Sequence, residues 1–579
     1  MRLAALSLAS LAALATAALV YLGSYGLLAL SVYLIAVVCI VLALSEGRVA
    51  QRRARLERRD VLAALPIVGL VALQLALARY FGSFSLEHFH QDEFETAYAS
   101  YSLPSITQIQ WFTGYPAPGL WVASFPSPFF VLQKPFFMLL GPTVDAIRIS
   151  VWPYLALTVV YLYLLAREIS PRPAFPIAAS ICAMVFAPSL YIDSLGVHFH
   201  GATLFLIASM YYAVRLLRTE RRGYAVAAGL SGGLAYLGYP ASYITLPLVL
   251  GFVAFEAIVR RSARPLRLVW PTLVVFAFVM LPFVVYALTK QDYFVQRMDQ
   301  INAIGGSEFA DPALAREGAV AFLLGQLWRN LQSLVLPGIV IPGYSFGRQA
   351  FFEWSGAALF ALGLGYGVLR VLRGGSRVFV LVLAALVAAF LSGMVLMLPT
   401  GAFHRITLVF PLVGLTVALG LLAIYDAANA LLARLPRGRP LALGVASLAL
   451  AAFAALNLAK GYQITVHDQT HDSPALYTYV EEHVPASETV GIAYAPAYHL
   501  GHELFFRTGG RQFVTEPLPE ILAHPPSSVF ILAYPTLAAV MEVKDRFPGA
   551  KFVAEVDGVR LSDHFVVLTG QSAGGSASG

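Results

Sequence analysis

Apolar runs of close to twenty residues recur along almost the whole chain, each stopped by a polar link. Coiled as a helix, such a run matches the roughly 30 Å hydrocarbon core of a bilayer. The runs lie near 3–22, 25–44, 61–80, 146–166, 174–191, 202–217, 223–239, 241–259, 268–288, 352–372, 378–398, 406–425 and 440–458. They predict an all-α polytopic membrane protein of about 13 transmembrane helices. The 223–259 stretch breaks the pattern, because Gly232, Gly233, Gly238 and Pro240 interrupt it. Broken helices persist in a membrane where they line a cavity inside the protein. The first run has signal-peptide features: Met1-Arg2, an apolar core, then Ala15-Thr16-Ala17. A second run follows almost at once, which favours a retained helix.

The polar links alternate in character. Arg48, Arg52, Arg53, Arg55, Arg58 and Arg59 crowd the first basic link, and Arg215, Arg218, Arg221 and Arg222 the second. Arg260, Arg261, Arg264 and Arg267 form the third, Arg370, Arg373 and Arg377 the fourth, and Arg434, Arg437 and Arg439 the fifth. Basic links belong in the cytoplasm. The N-terminus is therefore expected inside, the C-terminus outside, and the whole chain in the plasma (inner) membrane.

Two long links face out under this topology. One spans 81–145 and carries a proline-broken aromatic stretch around Phe129, Phe130, Phe136 and Phe137, suited to the headgroup layer. The other spans 289–351 and contains a helical piece over 313–335. Near Lys460 the periodicity changes. Segments 490–495, 528–534, 551–556 and 564–568 alternate as strands, and 518–523 and 536–547 as helices. The predicted organisation is two additional helices and a basic loop over 1–60, a membrane core over 61–459, a small exterior or periplasmic α/β domain over 460–570, and a flexible tail over 571–579.

Composition sharpens the picture. Hydrophobic residues make up 58% of the chain and charged residues 12%, against roughly 25% charged in soluble domains. The net charge of +7 comes largely from the arginines of the links, so it does not point to nucleic acid. Cys39 and Cys182, the only cysteines, both fall in apolar runs and build neither a disulfide framework nor a thiolate metal site.

Candidate chemistry gathers in the outward links. Asp92-Glu93 follows the third run, Lys134-Pro135 lies later in the same link, Tyr191-Ile192-Asp193 begins a short turn, and His404-Arg405 opens a late run before Pro411. A carboxylate at a membrane edge can act as general base on an acceptor hydroxyl. Cations can hold a phosphate leaving group. His198 and His200 would share a side only in an extended segment, where they form a weak metal-ligand pair; His88 and His90 have the same spacing.

The order of these motifs, with Arg148 opening the fourth run, resembles the GT-C glycosyltransferases related to protein O-mannosyltransferases and the lipid A aminoarabinose transferases. The resemblance covers roughly 61–425. The chain departs from the family pattern with Phe136 after Lys134-Pro135, Ile406 after Arg405, Gly238-Tyr239-Pro240-Ala241-Ser242 where a lysine is often found, and two extra leading runs. The resemblance implies a hexosyl- or pentosyltransferase that moves a sugar from a polyprenyl-phosphate donor to a lipid, glycan or protein acceptor, with inversion. It implies Asp92 as the catalytic carboxylate and Glu93 as its support. Lys134 and Arg405 would be donor-phosphate ligands, and Asp193 would assist the acceptor or a divalent cation such as magnesium or manganese. Two other classes fit the same composition: a transporter or flippase of lipid-linked sugars, and a non-catalytic envelope scaffold. Single cysteines placed at positions 92, 300 and 500 should react with impermeant thiol reagents from outside, and those at 55 and 219 should be protected; the reverse at any two overturns the topology.

Overall fold

The apolar runs fold as helices whose ends fall in the polar links. The computed structural model describes residues 2–45, 58–84, 91–105, 108–112, 128–289, 302–305, 312–337, 349–398 and 400–468. Beyond these it describes 480–482, 484–485, 490–493, 499–516, 518–523, 529–533, 541–542, 545, 551–553, 555–556, 559–560 and 565–569.

Helices α1 (Arg2–Tyr21), α2 (Leu27–Leu44) and α3 (Arg58–Phe84) lead into a short α4 (Gln91–Tyr101). After α5 (Pro128–Leu140), α6 (Val144–Ile149) runs into α7 (Trp152–Ile169), followed by α8 (Ala174–Val185), α9 (Ala187–Asp193) and α10 (Phe199–Thr219). Next come α11 (Arg222–Tyr236), a 3₁₀ turn (Pro240–Ile244), α12 (Thr245–Val259) and α13 (Arg264–Thr289). The second long link contains α14 (Pro312–Glu317) and α15 (Ala319–Ser333), as its periodicity predicts. The core ends with α16 (Trp354–Leu372), α17 (Val378–Phe390), α18 (Phe410–Leu431) and α19 (Gly438–Gln463).

Among the described residues 11 helical segments are long and apolar enough to cross a membrane, or 12 with the bent pair α8–α9. The run expected at 223–239 is α11, a 15-residue helix that ends before Gly238 and Pro240. The bent pair turns by 68°. Phe186 adopts an extended backbone there, and Pro188 sits in the first turn of α9. Proline lacks the N–H that would continue a helical ladder. The Ala187 N–H, left by the bend without a helical partner, is satisfied at 3.0 Å by the side-chain oxygen of Asn457 on α19.

The central helix is α18, buried along most of its length. It meets α16 at glycines. A Cβ on Gly363 would fall 1.9 Å from the Thr416 carbonyl oxygen, and one on Gly420 would fall 2.2 Å from that of Leu359. Close backbone approach through small residues is how helices gain packing contacts where lipid gives no hydrophobic drive.

The C-terminal region carries a five-stranded sheet of order β2-β1-β3-β7-β4. Strands β1 (Val490–Ala493), β2 (Phe513–Glu516) and β3 (Val529–Ala533) run parallel, while β4 (Lys551–Val553) and β7 (Phe565–Thr569) pair antiparallel. Strands β5 (Glu555–Val556) and β6 (Val559–Arg560) form a separate ribbon. Helices α20 (His499–Arg507) and α21 (Leu518–Ala523) accompany the sheet. Strand β2 and α20 are additions to the sequence reading, whereas most of the helix expected at 536–547 lies outside the described residues. Helix α19 continues past the expected boundary near 460, and Lys460 lies buried within it.

Replacing Gly363 with valine should lower stability by about 1–3 kcal/mol, the usual range for overpacking. Thermal unfolding in detergent measures it, and an unchanged transition would show that the α16–α18 seam tolerates a side chain.

Candidate functional site

Helix α4 opens with Asp92 and Glu93 in its first turn, where carboxylates complement the positive end of the helix dipole. The helix is buried rather than solvated: Asp92 keeps 8% of its surface, Glu95 2% and Glu93 none. A cysteine at 92 would therefore report burial as well as sidedness. Phe94 and Ala97 seat the helix against Phe137, Ile147, Phe505 and Phe506.

Glu93 makes the central polar contact. Its Oε1 accepts from Arg148 Nε at 3.0 Å and from the Gly196 N–H at 2.7 Å, and its Oε2 accepts from Arg148 Nη2 at 3.3 Å. Arg148 Nη1 donates to the Gly82 carbonyl at the end of α3. One ion pair thus binds α3, α4, α6 and the turn after α9. Gly196 has no room for a side chain, since a Cβ would meet Ile147 Cγ2 at 2.4 Å and the Ile147 carbonyl at 2.7 Å. That close approach delivers its N–H to Glu93. Tyr191, itself buried, lies within electrostatic range of Glu93, Arg148 and Asp92.

The turn 191–200 is the hub on which the other candidates meet. Asp193 Oδ2 accepts from Gln74 Nε2 at 2.9 Å, and Asp193 Oδ1 lies 3.7 Å from His200 Nδ1. His200 Nε2 is 3.1 Å from the Leu195 carbonyl. His198 packs on Phe129 and Tyr239 with ring centroids 5.9 and 5.4 Å away. Phe199 reaches His404 at 6.0 Å. The extended spacing that would pair His198 with His200 is not formed. His198 has helical angles at the start of α10, so the two rings take different surroundings. Among the described residues no group of three or more His, Cys, Asp or Glu is placed to hold a metal ion. His88 and His90 lie outside the described residues.

His404 and Arg405 sit in a buried 3₁₀ helix (Phe403–Val409) that precedes α18. Its approach is fixed by Asn330 of α15, which accepts from the Gly401 N–H at 3.1 Å and donates to the Met394 carbonyl at 2.8 Å. Gly393 presses on the Arg405 backbone, with room for a Cβ only 3.1 Å from the Arg405 oxygen. An apolar groove of about 650 Å³ opens between α12 and α17, with Tyr243, Val387 and Leu391 among its lining residues.

Lys134 lies on α5 and reaches the far end of α4. Its ammonium donates to the Leu103 carbonyl and approaches that of Tyr101 at 3.5 Å, so it caps the negative end of the helix. At 1.5 Å per residue that end is about 14 Å from Asp92. Partial burial pushes the Lys134 pKa below its ordinary value. The neighbouring Gln133 is buried and joins three helices, accepting from Ser100 Oγ at 2.5 Å and donating to Ser150 Oγ at 3.0 Å. Sequence reasoning passed over Gln133, Gln74 and Gly196. A glutamine inside an apolar helix was the visible signal for the first two.

No family model matches the chain, and no curated protein sequence does. Solved structures do. ArnT from Cupriavidus metallidurans bound to undecaprenyl phosphate aligns over 88% of this chain and 99% of its own, at 13% identity with a TM-score of 0.58. Its apo form aligns over 86% and 98%, at 13% identity with a TM-score of 0.54. The apo oligosaccharyltransferase of Archaeoglobus fulgidus aligns over 80% and 69%, at 14% identity with a TM-score of 0.49. The two ArnT structures show that this chain has the polytopic GT-C fold.

Replacing Arg148 with alanine should destabilise the protein by about 3–5 kcal/mol, because it leaves a fully buried carboxylate without its partner. Converting both partners to apolar residues, Glu93→Leu with Arg148→Met, should recover part of that loss in thermal unfolding. A double variant no more stable than Arg148→Ala would show that the pair does not act as a unit.

Proposed function

We propose that the protein is a membrane glycosyltransferase that moves a sugar from a polyprenyl-phosphate donor to an acceptor hydroxyl, with inversion, at the outer face of the inner membrane. The observation that carries this reading is the buried acidic pair at the start of α4 in a GT-C fold, clamped through Glu93 by Arg148 and the Gly196 N–H. Glu93 spends its oxygens on that clamp and is a positioning residue. Asp92 is assigned the chemistry.

In the proposed step the Asp92 carboxylate takes the proton of the acceptor hydroxyl. The acceptor oxygen forms a bond to the anomeric carbon, and the bond from that carbon to the phosphate oxygen breaks. The electron pair leaves with polyprenyl phosphate. Charge developing on the phosphate needs a cation aimed at it, since such stabilisation supplies a large share of catalysis. Arg405, in the buried 3₁₀ helix ahead of α18, is assigned that contact. Lys134 is assigned to holding α4, because its ammonium serves the carbonyls of Tyr101 and Leu103.

Two of the candidate carboxylates, Glu93 and Asp193, are already committed to other partners. A metal bound at Glu93 would face the Arg148 guanidinium, and Asp193 is held by Gln74. Asp193 orients the 191–200 turn through Gln74 and His200.

Purified protein in lipid, supplied with polyprenyl-phosphate monosaccharides and candidate acceptors, should form a glycosidic product without added metal and in the presence of a chelator. Asp92→Asn should reduce turnover by about a hundredfold or more while donor binding persists. Arg405→Ala should weaken donor use roughly ten- to a hundredfold, and Lys134→Ala should lower the melting temperature with little change in donor use. Translocation of lipid-linked sugar with no product would replace this reading with a transporter.

A further inference from the structure

The arginines of the basic links have a structural use at the opposite end of the bundle from Asp92. Glu168 closes α7, twenty residues after Arg148, so at helical rise the two ends lie about 30 Å apart. Glu168 is buried and holds two guanidinium groups: Arg215 Nη1 at 3.2 Å and Arg218 Nη1. Glu256 on α12 is also buried and holds two more, Arg260 Nε at 2.6 Å and Arg377 Nη1 at 3.3 Å. Four guanidinium groups against two carboxylates leave a surplus of two positive charges. Each guanidinium has five N–H donors, more than these bonds consume.

Between them lies a cavity of about 220 Å³ lined by Arg218, Glu256, Arg260, Gly374, Ser376 and Arg377. Arg218, Arg260 and Arg377 keep 45%, 39% and 41% of their side-chain surface open, so a ligand can reach them. One wall is the N-terminus of α17, where the first N–H groups of a helix lack intrahelical partners and the dipole favours an anion. Ser376 Oγ donates to the Glu168 carbonyl at 3.1 Å, which fixes the loop leading into that helix. The two buried carboxylates hold the guanidinium groups in place before any ligand arrives. Convergent guanidinium groups at a helix N-terminus match the chemistry of a phosphate oxyanion. The cavity also has an apolar neighbour, because Phe252 lines both it and the groove between α12 and α17.

We propose that this cavity binds a phosphate ester, namely the headgroup of an anionic phospholipid in the leaflet on that side, with acyl carbon against Phe252. The proposal is independent of the transferase reading. Each carboxylate keeps one arginine when the other is changed, so Arg218→Gln and Arg377→Gln leave both buried acids paired.

Native mass spectrometry of the full-length protein in detergent, titrated with phosphatidylglycerol, phosphatidylcholine and sn-glycerol 3-phosphate, tests it. Wild type should retain phosphatidylglycerol in preference to phosphatidylcholine. Arg218→Gln with Arg377→Gln should weaken that binding roughly tenfold or more. Arg434→Gln, which removes an exposed arginine of another basic link, should not change it. If the double variant does not fold, Arg377→Gln alone decides. Glycerol 3-phosphate binding with the same arginine dependence upholds the phosphate site and makes a soluble ester its ligand. Equal retention of both lipids, or affinity unchanged in the pocket variants, overturns the proposal. A loss as large with Arg434→Gln also overturns it, since diffuse charge would then be sufficient.

Discussion

The Glu93–Arg148 pair is the constraint around which the α4 end of the bundle is arranged. Neither charge can stand alone without water, and desolvating each costs several kcal/mol. The pair therefore requires α4, which carries Glu93, to lie against α6, which carries Arg148. Glu93 Oε1 also accepts from a third donor, the Gly196 N–H. That donor arrives only if the turn after α9 presses onto Ile147, so residue 196 has no room for a Cβ. The turn then brings along Tyr191, Asp193, His198 and His200. A short helix with an acidic first turn thus becomes a fixed floor for the site.

What the chain revealed in advance follows from which forces act locally. Bilayer thickness sets the length of every apolar run, and arginine placement sets sidedness, so the helical plan was legible. The break near Gly238 and Pro240 was legible as well, because proline acts within its own turn. The motif order from Asp92 to Arg405 pointed to the fold that ArnT shares. The partnerships were not legible. Nothing in the sequence says that Arg148 spends its donors on Glu93 and Gly82, or that Lys134 turns to the far end of α4. Those choices are made by packing between segments far apart in the chain. His198 and His200 show the converse: an i, i+2 spacing has meaning only once the backbone state is known, and here it is helical.

The two ends of the bundle use ion pairing in opposite ways. At the α4 end one carboxylate takes one arginine and two backbone groups complete the set, which leaves a closed, rigid unit. At the other end each carboxylate is shared by two arginines that stay partly open to solvent. The first arrangement suits a group that must hold its place. The second keeps positive charge accessible, and it is built from arginines of the basic links.

The bend between α8 and α9 has a consequence for biogenesis. Its open N–H at Ala187 is satisfied by Asn457, 270 positions later, on the last helix of the bundle. At about 5–20 residues per second of synthesis, that partner emerges on the order of ten seconds to a minute after the bend itself. Until then water, lipid headgroups or the insertion machinery must satisfy the bent segment, since an unpaired amide in hydrocarbon costs several kcal/mol. The hub turn that carries Asp193 and Gly196 hangs directly from this segment. The α4 end can therefore lock only after α19 has been made, and a nascent protein stalled before α19 would hold an unfinished site.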